Sequence, residues 1–458
     1  MQETKKNFFV LCIAGLVSIG GILYGYDMGV ISGALLFIKN TIPMNDTEVG
    51  MIVGAVLGGG LIGTLIAGPV SDRFGRRILI LASSVIFIFG VSAILLANSF
   101  LMLLLARLLL GMGVGVVAVA VPLYVAEIVP SKDRGKYVTF FQLLLTFGIV
   151  AAYFVDLLFT SSGNWRAMFA VLLIPSFILF FGMFFLPETP RWLIANDQLA
   201  TAKQVLRRIR QSEREVESDV KEIQTSLLEI RKETWGELFS HELLLPSLIA
   251  IAIAIFNQLT GINSFLQYAP LILKNAGISS NFVSMLGSAG IGVLNFLFTI
   301  IAITLIDTLG RRPLLLLGVG GVVLSELFLG AVNYFIPNSP NAGILSLIGL
   351  LFYIMFFAVG PGVVVWLAIS ELFPTQVRGK GIAVCLFFNS LASTLLATFF
   401  LPLVKHLGVA QTYWLFAFFS TLYFLVTYFF LPETKARSLE EIQHYFFKKH
   451  RRVLSSRT

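Results

Sequence analysis

The chain has 458 residues, 57% of them hydrophobic and only 13% charged, with a mean hydropathy of +0.87. A soluble protein of this length needs far more polar surface, and apolar runs that do not alternate with polar residues exclude an outer-membrane barrel. The net charge of +8 suggests a nucleic-acid partner only until the charges are placed along the chain.

Apolar runs of about 20 residues, each long enough to cross a bilayer, predict twelve spans. They lie near 8–37, 47–70, 77–97, 101–128, 135–159, 165–186, 245–274, 281–307, 314–335, 343–372, 380–404 and 410–431. The first is too long for a secretory signal, carries Asp27, and has no small-residue cleavage site. With the N-terminus inside, only Lys39, Arg166, Lys274 and Lys405 fall on the outer side, and Arg107 lies within a span. Every other Lys and Arg is cytoplasmic. That asymmetry is the positive-inside rule; it accounts for the basic balance, places both termini in the cytoplasm and leaves no case for nucleic acid. Cys12 and Cys385 fall in spans and read as packing residues rather than a disulfide.

The expected architecture is an all-α membrane protein. An N-terminal six-helix bundle covers 1–186, a cytoplasmic helical linker 187–244, a second six-helix bundle 245–431 and a cytoplasmic tail 432–458. The linker mixes charges with periodic Leu, Val and Ile, as amphipathic helices capping the bundles would. The halves repeat: GPVSDRFGRR from Gly68 echoes ITLIDTLGRRP from Ile303, and LYVAEIVPSKDRG from Leu123 echoes WLAISELFPTQVRG from Trp366. LPETPR from Leu186 echoes LPETKAR from Leu431. Matched motifs in matched order indicate duplicated bundles related by a pseudo-two-fold axis along the membrane normal.

Charges at the cytoplasmic helix ends share this repetition. Asp72, Arg76, Glu127 and Arg134, with Glu188 and Arg191 of PETPR, answer to Asp307, Arg311, Glu371 and Arg378. Solvated loop charges are one reading. An inner gate of inter-helix salt bridges that hold the outward-facing state closed, and break in each cycle, is the reading that the repetition favours.

Two charges fall within spans. Asp27 lies about 15 Å and Arg107 about 9 Å below the outer helix ends at 1.5 Å per residue. A lone charge there costs at least about 2.5–3.5 kcal/mol, so the two are expected to pair. Such a pair is either a static tie or a proton site that ionises only while its partner is near. Glu326, in mid-span, matches no motif, and Asp156, near an outer end, is expected to reach water.

Amides also recur in apolar spans: Gln142, Asn257, Gln258, Asn263, Asn295 and Asn389. A buried amide without partners costs about 1–3 kcal/mol, so the set implies pairing between helices or a wet cavity. Sugar hydroxyls, which both donate and accept, suit such a cavity, and Trp366 offers a stacking face. No metal-ligand cluster, Walker loop or nucleophile elbow suggests an enzyme, and no cofactor or metal is expected.

DRFGRR, RLLLGMGVG from Arg107, VPLYVAEIVPSKDRG from Val121, PETPRW from Pro187, QLTGINSFLQYAP from Gln258, DTLGRRP, GPGVVVW from Gly360 and PETK from Pro432 together resemble the sugar porter family of the major facilitator superfamily. The likeness covers nearly the whole chain. It implies the major facilitator fold and alternating access, in which the bundles rock around a central sugar. It assigns sugar contacts to Tyr24, Gln142, Asn257, Gln258, Asn263, Tyr268, Asn295, Gly362, Trp366 and Asn389. Because proton-coupled members tend to carry Asp at the Asp27 position, it also implies proton–monosaccharide symport, of a hexose such as glucose or a pentose such as xylose. The tight loops and lack of extensions lead to the expectation of a bacterial inner membrane, and a monomer is expected. A passive facilitator, a polyol or inositol transporter and a transporter-like sensor are the alternatives. The sequence departs from the family pattern at Asn257, Gln267, Val363, Val365, Ser390 and Ser393, which leaves the sugar open. The sequon at Asn45 is a chance match in that setting.

Overall fold

Lipid offers a backbone N–H no partner, so each apolar run has to satisfy its own backbone as helix. The computed structural model has that form. It describes residues 2–130, 134–228, 235–240, 243–337, 339, 341–374 and 377–435, with the side chains of 2–7, 134–136, 138, 228, 235, 237 and 307 outside the description. Helices α1 (Gln2–Ile38), α2 (Asp46–Phe74), α3 (Arg76–Leu96), α4 (Phe100–Ile128), α5 (Arg134–Phe159), α6 (Trp165–Ala170) and α7 (Leu173–Phe185) come first. Three short polar helices follow, α8 (Pro190–Ala195), α9 (Leu199–Ile209) and α10 (Glu213–Leu228). Then come α11 (Leu244–Leu259), α12 (Ile262–Asn275), α13 (Asn281–Leu309), α14 (Arg311–Phe335), α15 (Ala342–Val359), α16 (Pro361–Leu372), α17 (Arg378–Leu407) and α18 (Val409–Phe430).

Twelve segments among the described residues are long and apolar enough to cross a membrane. They match the twelve predicted runs to within a few residues. Three of them are bent or broken: α6 with α7, α11 with α12 at Gly261, and α15 with α16 at Gly360–Pro361. Asn45, the sequon residue, is the N-cap of α2. Its side chain accepts from Glu48 N at 2.9 Å while the Glu48 carboxylate accepts from Asn45 N at 2.8 Å, a capping box that gives NDTE a structural purpose.

The chain forms two compact units, Met1–Arg231 and Lys232–Thr458. Helices α8, α9 and α10 thus belong to the first unit: α8 packs on α4, α9 on α1, and Arg210 Nη1 donates to Ile128 O at 2.9 Å. Inside the first unit α1 packs on α5, α2 on α4, and α3 on both α4 and α7. Inside the second, α11 packs on α17, α13 on α15, and α14 on both α15 and α18. The same order of spans is paired twice, so the duplication read from the motifs extends to the packing.

Glycine sets how closely the first unit's helices approach. Gly21, Gly25 and Gly29 form a stripe along α1, and a Cβ at Gly25 would fall on the Leu145 carbonyl of α5. Gly59 and Gly63 of α2 likewise meet α4 backbone, and Gly111 and Gly115 of α4 meet α2. Small residues let backbones touch where lipid supplies no hydrophobic drive between helices. Gly25→Ala therefore has to part α1 from α5. It should lower the thermal midpoint in detergent by the equivalent of about 1–3 kcal/mol of overpacking. Gly15→Ala, where nothing lies within 4 Å of the added atom, should leave the midpoint within error.

Candidate functional site

The first candidate is ionic. Asp27 on α1 and Arg107 on α4 are both fully buried, and Arg107 Nη1 donates to Asp27 Oδ1 at 2.5 Å. The Arg107 guanidinium also lies over the Phe169 ring, 5.5 Å from its centroid. The pair is not saturated: Asp27 Oδ2 and Arg107 Nε have no hydrogen-bond partner among the described residues. Removing either member would strand the other, at a cost of about 3–5 kcal/mol for a buried pair.

The second candidate is a chain of amides at a helix break. α11 ends at Leu259, Gly261 takes φ +83°, and α12 restarts at Ile262. That left-handed residue is the step only glycine takes freely. Tyr353 of α15 donates to Thr260 O at 2.9 Å, satisfying a carbonyl that the break releases. Around it, Gln258 Nε2 donates to Asn389 Oδ1 at 3.2 Å, and Asn263 Nδ2 donates to Gln258 Oε1 at 2.8 Å. Asn263 also donates to Ser393 Oγ at 2.6 Å, and Asn389 to Ala254 O at 2.9 Å. Asn257 Oδ1, buried beside them in sequence, has no partner among the described residues. Such a cluster presents donors and acceptors at fixed spacing, the chemistry that recognises a hydroxyl-rich molecule.

The remaining sugar candidates are not joined to it. Tyr268 spends its hydroxyl on Ala397 O at 3.0 Å. The backbone carbonyls of Gln142 and Asn295 accept from Thr146 and Thr299, and no bond to either side-chain amide is seen among the described residues. Tyr24 and Gly362 are half-buried, and Trp366 packs partly buried against the second unit's core.

The repeated charges form one cluster in each unit. Arg76 Nε lies 3.1 Å from Glu127 Oε2, and Thr189 Oγ1 donates to the same oxygen at 2.6 Å. Arg76 also reaches Asp72 at 3.2 Å. The Glu188 carboxylate accepts from the backbone N–H groups of Arg76 and Arg77, both at 3.1 Å, across the N-terminus of α3. Burial pushes the Glu188 carboxyl up from its usual range, while the donors of Thr189, Arg77 and Arg76 hold it down. In the second unit Arg311 Nε donates to Glu371 Oε1 at 3.3 Å, and Glu433 accepts from Arg311 N and Arg312 N, both at 3.1 Å. Gly75 and Gly310 take φ +96° and +93°, and an added Cβ at either would run into the capping carboxylate. Each described ion pair lies inside a single unit. The side chains of Arg134 and Asp307 lie outside the described residues. Arg378 donates to Phe373 O at 3.4 Å, and Arg191 has no ion pair among the described residues.

Two acids need correction or notice. Asp156, expected to reach water, is fully buried; its Oδ2 accepts from Gly33 N at 3.0 Å. Nearness to the helix end does not free Asp156, because the glycine stripe of α1 brings α1 backbone against this part of α5. Glu326 is also fully buried, near the Ser420 hydroxyl of α18, with no well-formed hydrogen bond to either carboxylate oxygen among the described residues. Sequence reasoning passed over Glu433 and Tyr353. The repeated LPET was signal enough for the first; nothing in LFYIMF marks the second.

A family model described as sugar (and other) transporter matches residues 13–446. The glucose transporter GlcP of Staphylococcus epidermidis is 36% identical over 440 residues, 96% of this chain and 97% of that one. The galactose-proton symporter of Escherichia coli is 33% identical over 448 residues, 98% of this chain and 96% of that one. Among solved structures, the inward-open xylose transporter XylE from E. coli superposes with a TM-score of 0.82 at 29% identity, covering 95% of this chain and 99% of that one. The chain belongs to the sugar (and other) transporter family. It is a multi-pass membrane transporter with the major facilitator fold, and not an enzyme.

The twin caps are open to a direct test. Glu188→Ala and Glu433→Ala should each lower the thermal midpoint by the equivalent of about 0.5–2 kcal/mol, the usual worth of an N-terminal cap, and Gln should recover part of it. A midpoint unmoved in either variant would show that half's cap to be idle.

Proposed function

We propose that the chain couples entry of a monosaccharide, a hexose or a pentose, to entry of a proton by alternating access. In this reading it acts as a monomer in a bacterial cell membrane with both termini in the cytoplasm. The observation that carries the coupling is the buried, unsaturated Asp27–Arg107 pair. A carboxylate sealed from water is stable as an ion only while its cation is close. Once α4 withdraws Arg107, the carboxyl has to accept a proton. Relatives named as galactose-proton and arabinose-proton symporters support the same reading.

The sugar is held, in this proposal, by Gln258, Asn263, Asn389 and Asn257 at the break in the seventh span, with Tyr24, Gln142, Asn295, Gly362 and Trp366 as further contacts. Sugar hydroxyls would replace the bonds that Gln258, Asn263 and Asn389 make to one another and give Asn257 Oδ1 the partner it lacks among the described residues. The Arg76–Glu127 and Arg311–Glu371 pairs are proposed to act as latches at the cytoplasmic end, released in each cycle.

Two outcomes test the proposal in proteoliposomes. Asp27→Asn should abolish sugar accumulation driven by a proton gradient while leaving counterflow within about twofold of the parent; a variant that still concentrates sugar refutes the coupling. Asn263→Ala should raise the sugar Kd about tenfold, the worth of one or two hydrogen bonds. An unchanged Kd by calorimetry would remove the amide cluster from the binding site.

A further inference from the structure

Neither candidate site uses Glu326, an acid fully buried on α14. The helices packed on α14 are α13, α15, α16 and α18. Their titratable residues are Asp307, Tyr353, Glu371, Tyr413, Tyr423 and Tyr428, and they carry no Lys, Arg or His. On α14 itself Tyr334 is exposed. The cations of that helix, Arg311 and Arg312, stand at its start, about 22 and 21 Å from Glu326 along the axis at 1.5 Å per residue. Arg311 is already paired there with Glu371. Asp27 has a guanidinium beside it, whereas Glu326 meets no cation among the described residues. A carboxyl group so placed in an apolar span rests as the neutral acid.

Two hydroxyls flank it. Ser420 of α18 lies beside the carboxyl group, and Tyr353 of α15 lies within its electrostatic reach. Tyr353 holds the break in the seventh span from both sides. Its hydroxyl donates to Thr260 O at 2.9 Å, and its ring meets Phe265 edge-on with centroids 4.7 Å apart. Gln258 and Asn263, bonded to each other, flank the same break. A phenol has one proton to donate. Beside a neutral carboxyl group that proton goes to the Thr260 carbonyl. A carboxylate is a stronger acceptor and draws the proton toward Glu326, leaving the carbonyl bare. Ser420, Tyr423 and Thr427, all buried, share one face of α18 and run from Glu326 toward the end of α14 that holds Arg311. Their hydroxyls have no well-formed hydrogen bond among the described residues, and they give the acid a row of exchangeable groups toward the medium.

We propose that Glu326 is a second proton-binding site, and that its proton keeps Tyr353 on the Gly261 break and so sets the spacing of the amide cluster. Glu326 is thus a positioning residue for the sugar, and the inference rests on the amide cluster being where sugar binds.

The test uses the full chain in nanodiscs, with Asp27→Asn throughout so that the coupling acid is silent. Infrared spectra at neutral pH should show a carboxylic-acid C=O band that Glu326→Gln removes; loss of a carboxylate band instead refutes the neutral acid. As the pH is raised the band should fade, and amide hydrogen exchange across 258–268 should rise about tenfold over that of the Gln variant at the same pH, the worth of one buried hydrogen bond. Glu326→Asp should keep the pH response, and Tyr353→Phe should exchange fast at every pH. The Kd for glucose, the probe sugar, should weaken with alkali only where the exchange rises. A band that persists to the alkaline limit of folding, or exchange at the break equal in parent and Gln variant, overturns the proposal. If Asn263→Ala leaves the glucose Kd unchanged, the amide cluster fails as the sugar site, while exchange at the break still decides the role of Glu326.

Discussion

A polar group inside a bilayer has to find its partner within the protein, because lipid offers none. That constraint organises this molecule more than any preference for particular side chains. It makes every crossing segment among the described residues helical, and it gives the break at Gly261 a satisfying neighbour. Where α11 breaks before Gly261, the Tyr353 hydroxyl takes the exposed Thr260 carbonyl. Where α3 and α14 begin, a glutamate from a distant loop takes their first N–H groups. Where a carboxylate enters an apolar helix at position 27, a guanidinium enters another at 107.

The duplicated halves meet the constraint alike at one end and differently in their interiors. Both ends carry an arginine–glutamate pair and a capping glutamate, with glycine left bare beside the carboxylate. Inside, the first unit commits an acid–base pair, and the second commits amides and a serine around a broken helix. Charge suits a group that exchanges a proton, and amides suit one that exchanges hydroxyl partners. The division of chemistry between the halves is what the proposed symport draws on.

The spans and the duplication of the halves were legible because they follow from hydropathy and repetition, which are local or countable; which span packs on which was not. Asp27 and Arg107 were legible as a pair because a lone charge in lipid is too costly to stand. Less visible were groups whose partner is backbone. Asp156 reads as a surface acid until Gly33 is seen to offer it an N–H. Tyr353 reads as one more aromatic until the carbonyl it satisfies is known. Asn45 sits in a sequon, yet its nearest chemistry is Glu48 three residues on. Tyr268 matches a family position for sugar contact, but its hydroxyl is committed to Ala397. Sequence shows which side chain is polar; it does not show which main-chain group a neighbouring helix will bring to it.

The Asp156 contact bears on how the charged pair could open. A Cβ at Gly33 would collide with the Asp156 carboxyl group, so the bond to Gly33 N exists only because α1 is bare there. Below it, Gly29, Gly25 and Gly21 hold α1 against α5 backbone. Helices α1 and α5 are thus tied at four points along one face, and sliding one past the other would strip a buried carboxylate of its donor. Toward α4 the nearest atoms to a Cβ at Gly20 are those of the Val117 and Val121 side chains, which can yield by changing rotamer. Separation of Asp27 from Arg107 therefore has an easy direction, with α4 moving against a rigid α1–α5 block. The proposed proton site would open by displacing the base from the acid rather than the acid from its setting.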